Sequence, residues 1–238
     1  MSEWWSYRLS DLLLFSPRTY YRLIENYNRD VWPAHLLAIV AGVAVLAVVL
    51  RRGDQRGGRL VAAILATEWL WVAWAFHLQR YATINWAARW FALGFVVEAL
   101  LLLWIGVIRA GWRFDSTTRW IRGSGLSVLV IALFGLPLLA LLAGRSPAAS
   151  EFFGIHSDPT AIATLGILLL TSERVHWLLL VIPTAWCGVS GATSLAMGSP
   201  DAMVTPLVAV LVVMIAVCKG VALQRTTRIP AQGSLPGE

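Results

Sequence analysis

The chain has 238 residues, of which 58% are hydrophobic and only 13% charged. Soluble domains carry roughly 25% charged residues, and the mean hydropathy here is +0.69. That balance excludes a soluble cytosolic enzyme, a disordered chain and a disulfide-stapled secreted domain, because a globule of this size must cover its surface with polar groups. It predicts an all-α polytopic membrane helix bundle. The net charge of +6 comes from 18 Arg and a single Lys against 13 acids. These cations sit in short segments between apolar runs, so no nucleic-acid partner is expected. The two cysteines, Cys187 and Cys218, form neither a CxxC nor a zinc spacing and read as small apolar residues.

Residues 1–32 precede the first apolar run and lack the basic start and long apolar stretch of a cleavable leader. Ser16 before Pro17 signals a helix start. Tyr20, Leu23, Ile24 and Tyr27 then recur at helical spacing opposite Arg18, Arg22, Glu25 and Arg29. This predicts an amphipathic helix lying in the outer interface. Trp32 and Pro33 mark entry into the bilayer.

Apolar runs follow at 33–50, 60–78, 87–108, 124–143, 159–171, 176–197 and 203–222. A span needs about 20 mainly apolar residues. The fifth run is short and reads either as a short span or as a re-entrant segment. Arginine placement bears on that choice. Loops 51–59 and 109–123 each hold four Arg and belong inside. With seven spans, twelve basic residues fall inside and seven outside. The expectation is therefore seven helices over 33–222, N-out and C-in, with a flexible cytoplasmic tail at 223–238.

The second and third runs carry the sharpest chemical feature. Glu68 and Glu98 lie at their centres, each about ten residues from the outer end of its helix. A short loop joins the two helices, so both carboxylates are expected near the midplane on adjacent helices. Intramembrane charge costs roughly 2.5–3.5 kcal/mol on insertion scales, and such groups face the interior. No Lys or Arg occupies the middle of a run. The pair suits proton exchange or a bound cation; two neutral acids bonded to neighbouring hydroxyls or carbonyls are the structural alternative. Gln79 is the outer polar residue on the Glu68 stripe. His77, Arg80 and Tyr81 share a face on a continued helix, and with Asn85, His156 and Asp158 they predict an outer-face polar cluster. Asp158 before Pro159 also reads as a helix cap.

Of the 13 tryptophans, Trp32, Trp86 and Trp90 are expected near the outer interface and Trp112, Trp120 and Trp177 near the inner one. Trp69, Trp71 and Trp74 lie mid-helix and could pack or line a ligand site. In the sixth run Cys187, Ser190, Gly191, Ser194 and Gly198 form one stripe beyond Pro183. It reads as a close-packing face or as a hydroxyl-lined wall of a cavity. His35, His77 and His176 leave haem open as a minor reading, and His77 with His156 a metal; no cofactor is expected.

RYATINW at 80–86 resembles the third-helix motif of microbial rhodopsins, but Asn85 stands where that family has a carboxylate, and Lys219 lies near a helix end, so retinal binding is rejected. The segments SEWWSYRLSDLLLFSPRTYYRLIENYN, VWPAHLLA, AWAFHLQRYATINWAARWF and SDPTAIATLGILLL resemble an uncharacterised family of bacterial polytopic membrane proteins sometimes labelled permeases. The resemblance implies a bacterial inner-membrane location and assigns no residue a role. Three functions stay open. One is translocation of a small solute, cation or proton. A second is a non-transporting subunit or sensor that binds a partner or lipid, alone or as a homo-oligomer. The third is a haem- or quinone-binding oxidoreductase; an enzyme is the less favoured class.

Overall fold

In the computed structural model, residues 13–109, 112–114, 118–172 and 174–227 are described. The remainder of the N-terminal segment and residues 228–238 of the expected tail lie outside them. The described residues form helices and no strand.

Helix α1, Pro17–Asp30, begins where the sequence places it. Ser16 Oγ accepts the Thr19 backbone N–H at 3.2 Å, and Pro17 supplies a first-turn φ at a position whose N–H has no helical partner. Ile24 and Tyr27 are buried, whereas Arg18, Arg22 and Arg29 are exposed. The axis then turns by 89° into α2, Ala34–Leu50, so α1 lies across one end of the bundle.

Helix α3, Gln55–Trp71, is capped by the Asp54 side chain and continues through a π turn, Val72–Leu78. Helix α4, Ala88–Leu102, continues through a second, Leu103–Ile108. Helices α5, Arg119–Val130, and α6, Leu136–Leu142, are joined by a third, Ile131–Gly135. Helices α7, Ser157–Leu170, α8, Trp177–Ala196, and α9, Val204–Thr227, follow and complete the described residues. Among the described residues, five helices are long and apolar enough to cross a membrane, or six if the bent α1–α2 pair is one span. Helix α7, with 14 residues, is shorter.

Helix α7 is the axis of the molecule. Nearly all of its residues are buried, against α5, α8, α9 and α3. A helix apolar on every side belongs in a core. Small residues let α5 approach: a Cβ on Gly166 would stand 3.0 Å from the Gly125 carbonyl. At one end Ser172 N–H donates to the Arg113 carbonyl at 2.8 Å, and Phe114 N–H to that of Gly53 at 3.1 Å. The buried Lys219 ammonium of α9 donates to the carbonyls of Leu169 and Thr171, which α7 itself leaves unpaired at its C-terminus. The outer surface is the inverse of a soluble protein's: Leu37, Val40, Leu138, Val181 and Leu207 are all more than half exposed.

Trp32, Trp86, Trp90, Trp120 and Trp177 project outward. Trp112 does not. It is fully buried, and a Cβ on Gly58 would stand 2.1 Å from its carbonyl oxygen. An expected interface anchor is thus a packing block beneath α3.

Candidate functional site

The polar groups converge where α1 crosses the bundle. Asn28 of α1 is half of the reason. Its Nδ2 donates to the carbonyls of Ala148 and Ser150 at 2.7 and 2.9 Å, and its Oδ1 accepts from His35 Nε2 at 3.0 Å. Ser146 Oγ donates to Glu25 at 2.7 Å, and Tyr27 to the Ile155 carbonyl at 3.2 Å. Helix α1 therefore holds the 146–156 loop against the start of α7.

Behind this clamp lies a partly open cavity of about 40 Å³ whose polar wall is Tyr20, Tyr21, Arg145, Glu151, Asp158, Ser194, Asp201 and Thr205. Arg145 forms a two-pronged pair with Asp201, at 2.5 and 3.3 Å. The same guanidinium donates to the Tyr21 hydroxyl at 3.2 Å, and that oxygen lies 2.5 Å from Ser199 Oγ. Asp158 accepts from Trp186 Nε1 at 2.7 Å and from Ser190 Oγ at 2.5 Å. Glu151 faces the cavity with no hydrogen bond among the described residues. Burial pushes its carboxyl above the ordinary carboxylate range, the Asp158 charge adds to this, and Arg145 opposes it. Three carboxyl groups thus share one guanidinium, in a space with room for a few water molecules or a small ion.

Asp158 is not the helix cap its position before Pro159 suggests: α7 begins one residue earlier and the carboxylate points across to α8. The hydroxyl stripe of α8 serves both expected roles. Ser190 and Ser194 face Asp158 and the cavity. A Cβ on Gly191 would stand 2.7 Å from Pro206, which seats α9 closely.

The expected outer-face cluster divides. The π turn widens α3 by one residue, seen in Gln79 N–H donating to the Trp74 carbonyl at 3.1 Å, so the i, i+3 face assumed for a continued helix fails at Arg80. Arg80 leaves the bundle and pairs with Asp30 of α1 at 2.8 Å. His77 turns inward and is fully buried, its Nε2 3.0 Å from Ser157 Oγ and its ring against Phe95 and Trp186. Tyr81 is buried, stacked on Phe76 and Phe91 and edge-on to Tyr20. Asn85 caps the next turn by accepting the Ala87 N–H at 3.0 Å. His156 accepts the Phe152 N–H on Nδ1 at 3.1 Å, and burial drives its pKa down to about 3. His77 and His156 both flank Ser157, but among the described residues no three metal-binding side chains come together.

Glu68 and Glu98 occupy neighbouring helices but separate surroundings. Glu98 is completely buried, one turn from Phe95 on the inward face of α4, and neither of its oxygens has a hydrogen-bond partner among the described residues. Glu68 points toward α2 and the 153–155 loop. Its carboxyl occupies the place a Cβ on Gly154 would take, with Oε2 only 1.3 Å from that point. It borders a cavity of about 440 Å³ that Glu98 does not reach. Gln79 lines a different surface hollow, with Arg18, Arg22 and Asn26 of α1.

The fold and this site define a class: an all-helical protein with an apolar exterior and a small set of enclosed carboxylates. Residues 18–227 match the family of unknown function DUF6064, and the chain belongs to that family. No curated protein and no solved structure gives a match.

Proposed function

We propose that the chain is an integral membrane protein that moves protons or a small cation across the bilayer, with the cavity beneath α1 as its outer station. The observation that carries this reading is the convergence of Glu151, Asp158 and Asp201 on the single Arg145 around a space of about 40 Å³. A space of that size admits a few water molecules or a bare ion and is far smaller than the roughly 300–1,000 Å³ of pockets that hold organic ligands. Partly buried carboxylates that outnumber their cation favour uptake of a positive charge.

The continuation inward runs through His77, which meets Ser157 beside Asp158, toward Glu98, a turn beyond Phe95. His77 Nδ1, His156 Nε2 and both Glu98 oxygens are buried without partners among the described residues, and such atoms are where transient water binds. The rings of Phe95 and Trp186 stand in this path, so transfer requires them to move. Seven spans, N-out and C-in, fit the arginine distribution, with α7 as the encased seventh; on that orientation the cavity faces outward. A bacterial inner membrane suits the positive-inside pattern.

Proteoliposomes loaded with a pH-sensitive dye test the reading. A potassium diffusion potential should drive acidification, with Asp158→Asn, Glu151→Gln and Glu98→Gln each slowing it at least tenfold. Flux equal to that of empty liposomes, or unchanged flux in all three variants, removes the proposal.

A further inference from the structure

Glu68 faces a cavity that the proton path does not use. The cavity lies between α2 and α3 and opens on the flank of the bundle, with a volume of about 440 Å³. Ligand pockets commonly span roughly 300–1,000 Å³. Its wall is formed by Leu37, Ala38 and Ala41 of α2, Ile64 and Trp71 of α3, and Ile155 of the loop. The alanines are what leave it empty: larger side chains on α2 would fill it. Thr67 is its one hydroxyl, and that proton is already given to the Ala63 carbonyl at 2.9 Å.

The carboxyl is the anomaly in this wall. Glu68 is 8% exposed, and its remaining surface is toward the cavity. It forms no hydrogen bond or ion pair among the described residues. Among the described residues no Lys or Arg lines the cavity, and Lys219, whose ammonium is buried in the bundle, is committed to the end of α7. A carboxyl in apolar surroundings needs a partner, and the described residues supply none. The complement of this wall is a molecule with a positive charge on an apolar body. The charge would face Glu68, the body would lie against Leu37, Ala38 and Ile64, and the Trp71 ring offers a cation–π face.

We propose that the cavity between α2 and α3 binds a lipophilic organic cation, with Glu68 as its counter-ion. A neutral acyl chain would fill the same volume but leave the carboxyl unpaired. The site is independent of the proposed proton path, which uses other carboxylates.

Two probes of the same shape and opposite charge decide it. Equilibrium dialysis of the purified full chain in neutral detergent against tetraphenylphosphonium should show saturable binding at least tenfold tighter than for tetraphenylborate. Glu68→Gln should weaken phosphonium binding at least tenfold. Ala41→Phe, which fills the cavity and leaves the carboxyl in place, should do the same. Asp158→Asn should not, so a failed proton path and a failed cation site give different results. Equal affinity for the two probes, or phosphonium binding within twofold of wild type in Glu68→Gln or Ala41→Phe, overturns the assignment.

Discussion

Gly154→Ala isolates the seat of Glu68. Two costs follow from the structure. Gly154 has φ +73°, in the left-handed region, where a side chain costs roughly 1–2 kcal/mol. The new Cβ would also stand 1.3 Å from Glu68 Oε2 and 2.3 Å from Cδ. That overlap cannot be absorbed by small shifts, so the carboxyl must leave its place and push into the α2 wall. Overpacking of this kind costs about 1–3 kcal/mol, and the sum is about 2–5 kcal/mol. In a Glu68→Ala background the obstacle is gone and only the backbone cost of roughly 1–2 kcal/mol remains. Thermal unfolding of the four proteins in one detergent forms a double-mutant cycle. The expected coupling is about 1–3 kcal/mol, with Gly154→Ala milder when Glu68 is absent. An equal cost in both backgrounds would refute the packing of Glu68 over Gly154.

The remaining predictions concern the two ends of α7. Lys219→Met leaves the Leu169 and Thr171 carbonyls without their ammonium donor and should destabilise by about 1–3 kcal/mol per acceptor, read as a lower unfolding midpoint; an unchanged midpoint would show that water replaces the ammonium freely. Arg145→Gln removes the one cation shared by three carboxyls and should cost about 3–5 kcal/mol near neutral pH. That deficit should shrink in acid, where the carboxyls carry less charge; a pH-independent deficit would count against the shared site. Glu151 gives a pH slope of opposite sense to ordinary acid unfolding. Its carboxyl lies above the usual range in the fold because of burial and Asp158, so the folded chain holds a proton that the unfolded chain releases. Its contribution is fully present in acid and fades as pH rises through the folded pKa. Comparing wild type with Glu151→Gln across pH checks this, and a slope that survives the substitution assigns it to another group.

Local features of the sequence mark a strongly apolar, helix-forming chain and most of its helices. Apolar run length, the Ser16–Pro17 start and the scarcity of charge are local properties, and they place α1, α2, α4, α7 and α8 to within a few residues. Helices α3, α5 and α9 each run about five residues past an expected end, and the single helix expected over 124–143 is α5 and α6 joined by a π turn. The same locality explains why Glu68 and Glu98 stood out, since a carboxyl inside an apolar run is visible without a fold. Tertiary structure decided what those residues face. PTAIATLGILLLT looks alike whether lipid or protein surrounds it, and only packing shows that α7 is encased. The π turn after Trp71 has no signature in residue type, yet it sends His77 inward and Arg80 outward. The cavity beneath α1 joins Tyr21, Arg145, Asp158 and Asp201, which are far apart in the chain. Arg145 and Asp201 each sit in a loop where a charge is ordinary. What makes them a site is enclosure, and enclosure arises from α1 folding across the bundle end at 89°, which no stretch of sequence records alone.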